Sequence, residues 1–117
     1  MSIDEHSDDY KKTMLQKRFL NEIEQGIRIA NREIIHSHIP KLNKNSVLAF
    51  AVSIARLRAH YLDAAFSAAG TDTGEPLSAE QINSMRLHRE AYEEAKEAFE
   101  ALRYALEQGY VDLDMDE

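Results

Sequence analysis

Apolar residues along this chain recur at steps of three and four, and nowhere alternate as a strand would. Three long segments carry the pattern, and the few glycines and prolines gather between them, at Pro40 and from Gly70 to Pro76. The spacing predicts helix A over residues 8–38, helix B over 46–69 and helix C over 79–108. Pro40 disfavours helical geometry at Ile39 and stops A. Asn45 or Ser46 is expected to cap the free amides that start B, and Gly70 to end it in a left-handed conformation. Helix C has the clearest start, with Ser78 and Gln81 spaced as a capping box and Leu77 and Ile82 as a hydrophobic staple. Gly109 suits a Schellman cap, with Tyr110 folding back on the last turn.

Short connections between long helices predict antiparallel neighbours. The expected fold is therefore all-α, a single domain forming an up-down-up three-helix bundle with flexible acidic ends. At about 1.5 Å per residue its helices run roughly 35 to 45 Å.

In A, Phe19, Ile23, Ile27, Ala30 and Ile34 form one stripe, edged by Leu15 and Leu20. In C, Tyr92, Ala95, Phe99, Leu102 and Leu106 do the same, backed by Ala91, Ala98 and Ala105. Helix B differs, because it carries two stripes. The first is Leu48, Ala51, Ala55, Leu62, Phe66 and Ala69, and the second is Phe50, Ile54, Leu57 and Tyr61. Only a narrow polar strip of Ser53, Arg56, His60, Asp63 and Ser67 remains. A helix in a bundle needs an apolar arc of somewhat over 100°, and B offers about twice that. Each large side chain left in water forgoes about 1.5 to 3 kcal/mol of burial, so the excess calls for a cover. A two-fold homodimer is expected, in which Phe50, Ile54, Leu57 and Tyr61, with Met14 and Ile29 of A, form the interface.

Arg58 lies three residues after Ala55 and four before Leu62, on the first stripe of B, where it is expected to face the other helices of its own chain. A buried guanidinium needs acceptors. Glu22 and Glu94 are the expected partners, with His88 at the same height and Gly26 leaving room. The structural reading is a register-fixing ion pair or a snorkelling arginine. The functional one is an anion or small-ligand site built from Arg58 and His88.

Composition narrows the remaining chemistry. Lys and Arg number 14 against 21 Asp and Glu, a formal charge of −7. That balance opposes binding to a nucleic-acid backbone and suits a basic protein partner or simple solubility. Cysteine is absent, which removes disulfides, thiolate metal sites and thiol nucleophiles together. The opening MSIDEHSDDY reads as neither a secretory signal nor a transit peptide, and the run from Val47 to Ala69 is broken by charges, so a cytoplasmic protein without a membrane span is expected.

Glu33 and His36 have the i, i+3 spacing of carboxylate-bundle metal sites, with His38 close behind. Such sites need a second pair, and the chain holds none, so no metal or cofactor is expected unless two copies share one. No serine sits in a Gly-x-Ser-x-Gly elbow and no glycine loop could cradle phosphate, which argues against an enzyme. Glu90, Glu93, Glu94, Glu97 and Glu100 could mimic phosphates toward a basic surface, but Arg89, Lys96 and Arg103 interrupt the row as ordinary helix charge pairs do. The residues together read as a homodimeric interaction or regulatory module without chemistry of its own. A metal- or anion-binding dimer is the first alternative, and an acidic mimic or inhibitor of a basic partner the second.

Overall fold

A computed structural model describes residues 3–70 and 73–115, with side chains from residue 7 onward. The acidic ends, expected to be flexible, fall partly outside the described residues, as does part of the loop before Pro76. Three helices dominate: α1 over Ile3–His38, α2 over Lys44–Ala69 and α3 over Ala79–Glu107. Two-residue strands, β1 at Lys41–Leu42 and β2 at Asp112–Leu113, pair in parallel with Lys41 opposite Asp112 and Leu42 opposite Leu113. Strands this short leave no alternation to read in the sequence.

Local chemistry accounts for most of the boundaries. Ser78 accepts from the Gln81 backbone at 3.1 Å while the Gln81 side chain accepts from the Ser78 backbone at 2.8 Å, the reciprocal capping box expected. At the other end of α3, Gly109 takes φ 76°, and Tyr110 and Gly109 donate to the carbonyls of Ala105 and Leu106 at 2.9 and 3.0 Å. These two bonds are the Schellman pattern. Two caps differ from expectation. Asn43, rather than Asn45 or Ser46, starts α2, its side-chain oxygen accepting from both of those amides at 2.7 and 3.2 Å. Gly70 ends α2 at φ −72°, so no left-handed residue is used there.

Helices α2 and α3 lie side by side. Phe50 meets Phe99 edge to face at 5.8 Å between ring centroids, and His60 meets His88 at 6.1 Å, so contacts climb α2 as they descend α3. The seam on α2 is Val47, Phe50, Ile54, Leu57, Tyr61, Ala64 and Ala68, a strict alternation of three and four. Opposite it run Gln81, Met85, His88, Tyr92, Ala95, Phe99, Leu102 and Leu106 on α3, in the same alternation. This is the heptad rhythm that lets two helices interlock side chains along their whole length. All of these positions are half-buried except Ala68, which is buried.

Helix α1 is held differently. It is 36 residues long, roughly 54 Å at 1.5 Å per residue, and only its last two turns are fixed to the remainder. Arg32 donates to the Gly109 carbonyl at 2.9 Å and grips the Asp112 carboxylate with both terminal nitrogens, at 2.9 and 3.1 Å. His36 Nε2 lies 3.2 Å from the same carboxylate, and Asn31 donates to the Tyr110 hydroxyl at 3.4 Å. Upstream of Asn31 every α1 residue whose side chain is described is exposed. The expected closed three-helix bundle is therefore not what one chain forms. It extends 81 by 49 by 17 Å, with a radius of gyration of 24.6 Å where a compact chain of this length has about 13 Å.

Candidate interaction surface

Extension leaves the apolar faces bare. Among the described residues only Ala68, Tyr110 and Val111 are buried hydrophobics. On α1, Leu15, Phe19, Leu20, Ile23, Ile27 and Ile34 are 46 to 64 % exposed. Met14 and Ile29 are exposed as well. On α2 Leu48, Val52, Ala55, Ala59, Leu62, Phe66 and Ala69 are exposed, spaced four, three, four, three, four and three. Phe66 is the extreme, at 78 %.

The doubly apolar character of α2 thus resolves into two heptad seams on nearly opposite sides. Phe50, Ile54, Leu57 and Tyr61, expected at an interface between chains, lie along α3 in the same chain and are half-buried. Most of the stripe expected to face inward, with Leu48, Ala55, Leu62 and Phe66, is the one left in water. The three-four spacing of the Phe50 stripe continues without a break from Val47 to Ala68, whereas Ala51, a member of the first stripe, is half-buried and lies off the outer seam.

Arg58 belongs to neither core. Its side chain is exposed and its guanidinium carbon stands 5.9 Å from the centroid of the Tyr92 ring, whose other neighbour is Lys96 at 5.5 Å. Glu22 does not reach it, being paired with Arg18 at 3.3 Å one turn away on an exposed stretch of α1. Glu94 is exposed on α3. Of the expected cluster only His88 falls on the α2–α3 seam, with Arg58 at its edge, and His88 pairs with His60 instead. Those two imidazoles, with Asp63, Ser67, Gln81 and Ser84, line a shallow polar cleft between the helices.

The carboxylate and histidines weighed for metal are separated by their contacts. His36 turns to Asp112, while Glu33 and His38 are exposed. Among the described residues no group of three or more such side chains is placed to hold a metal ion. The glutamate row of α3 is partly neutralised along its own helix, by Arg86 with Glu90 at 3.8 Å, Lys96 with Glu93 at 3.1 Å and Arg103 with Glu107 at 3.0 Å. Glu93 accordingly holds the Lys96 ammonium more firmly charged than usual.

The anchor of α1 is the one site sequence reading missed. Arg32 and His36 lie 80 and 76 residues before Asp112, so no local spacing signals the contact. Hydrogen bonds from Arg32 hold the Asp112 carboxyl below its ordinary range, and the same bonds raise the Arg32 guanidinium. No helix among the described residues is long and apolar enough to cross a membrane. What the surface offers is therefore two bare heptad seams, one on α1 and one on the back of α2, on a chain that no family model, curated protein or solved structure matches.

Proposed function

We propose that this chain is a homodimeric helical interaction or regulatory module without catalytic chemistry of its own. The observation that carries the reading is the bare apolar surface of α1 and α2. The chain exposes 9652 Å², whereas a compact monomer of 13.4 kDa exposes about 6,500 Å². The excess is roughly 3,000 Å² per chain, or about 6,000 Å² for a pair, at the upper end of what permanent dimers bury and well above a standard transient interface. Single soluble chains rarely leave contiguous apolar patches of more than a few hundred Å² in water. A second copy supplies what one chain lacks, because it brings equally bare seams of matching rhythm. Sedimentation velocity at micromolar concentration tests the reading: twice the chain mass is expected, and a clean monomer overturns it.

A further inference from the structure

Two bare seams on one chain can satisfy each other only across two chains. On α1, Leu20, Ile23, Ile27, Ala30 and Ile34 step by three, four, three and four, and all are exposed. This seam covers roughly 21 Å, or about 28 Å counted from Leu15. The outer seam of α2, Leu48 to Ala69, covers roughly 32 Å in the same alternation. Within one chain α1 is turned away from that seam, because Arg32 and His36 pin its last turns to Asp112 and the β1–β2 pair fixes the exit of the chain.

Charges of opposite sign stand beside the two seams, although Asp63, directly after Leu62, adds an acidic one on the α2 side. Glu24 directly follows Ile23, and Glu33 directly precedes Ile34, so both flank the α1 seam in the positions that face a partner's edge in a heptad pairing. On α2, Arg56 directly follows Ala55 and Arg58 directly precedes Ala59, the equivalent positions beside the outer seam. We infer that α1 of one copy packs along the outer seam of α2 in a second copy, with Glu24 meeting Arg56, and that the exchange is reciprocal. A reciprocal exchange closes under two-fold symmetry and leaves no seam open for further addition. The inference rests on the two-copy reading and adds which surfaces meet. It also gives the arginines in the middle of α2 a purpose: they edge a seam rather than enter a core.

The native chain has no cysteine, so single-cysteine variants report unambiguous pairs. Ile27→Cys carrying a size tag and untagged Ala59→Cys are refolded together and treated with a short bis-maleimide. The expected product joins the two different variants. A dominant product of Ile27→Cys with itself, or of Ala59→Cys with itself, overturns the exchange while leaving a dimer in place. A product formed only within a chain carrying both substitutions shows that α1 folds onto its own α2, which also overturns it. A charge test runs in parallel on the full chain. Glu24→Lys and Arg56→Glu should each weaken self-association about tenfold, and an equimolar mixture should regain native affinity. No regain in the mixture, with helical circular dichroism intact, counts against the stated charge pairs. A monomeric wild-type protein in sedimentation sinks the two-copy reading itself, and is distinguishable from all of these.

Discussion

Asp112 is the residue on which the attachment of α1 turns. Its carboxylate takes two bonds from Arg32 and one contact from His36, and these lower its proton affinity relative to the unfolded chain. A carboxyl whose affinity for protons is depressed on folding stabilises the folded form fully above its unfolded value, near 3.9, and loses that contribution as pH falls through the lower folded value. Hydrogen exchange should show this directly. Amides in the last two turns of α1 should lose protection below about pH 4, and Asp112→Asn should remove that acid dependence while leaving the α2–α3 seam protected. Val111, only 2 % exposed beside this contact, is a stronger structural determinant. Val111→Ala deletes two buried methyl groups and should lower unfolding free energy by about 1.5 kcal/mol in a denaturant titration. Nothing in the local sequence announces the role of Asp112, since a carboxylate near the end of an acidic tail has the composition of a solvated end. Only the long-range return of the chain to α1 makes it an anchor.

At the scale of elements, caps and seams divide what sequence makes legible from what it hides. Ser78 with Gln81 and Gly109 with Tyr110 act through side chains and conformations within four residues of each other, and these boundaries were readable. Ser78→Ala should cost about 1 kcal/mol through loss of the cap. Gly109→Ala should cost a similar amount, because its φ of 76° crowds any side chain. Three helices were likewise legible, because apolar periodicity is local. Which stripe of α2 faces α3 was decided by a longer rhythm. Phe50, Ile54, Leu57 and Tyr61 hold the three-four alternation for seven positions, and Gln81 to Leu106 repeat it on α3, including the polar Gln81 and His88. Counting only apolar members hid that continuity. Phe99, edge-on to Phe50 and half-buried, should be the most sensitive position of this seam. Phe99→Ala is expected to cost about 2 kcal/mol, less than a fully enclosed phenylalanine, and to lower the melting temperature of the hairpin.

If two copies pair as proposed, the stability of the whole molecule becomes a function of concentration. One chain folds as a hairpin with a long helix fixed at one end, and an isolated helix gains little from propensity once its apolar face has no cover. Under the proposed pairing, most of the residues upstream of Asn31 in α1 take from a second copy the burial that usually holds a helix. Dimer melting obeys mass action, with each tenfold rise in chain concentration adding about 1.4 kcal/mol to the folded pair. Spread over the unfolding entropy of two chains of this length, that corresponds to about 3 °C per tenfold. Melting followed by circular dichroism from about 1 to 100 micromolar, ordinary working concentrations for the method, should thus shift by about 6 °C. The variant Ile27→Asp places a charge in the α1 seam without touching the hairpin or the Asp112 anchor. It should abolish the concentration dependence and reduce helical signal in α1 while α2 and α3 stay folded. A wild-type melting temperature that holds still across this range would mean that the chain does not pair with a copy of itself, and the bare faces of α1 and α2 would then need another occupant.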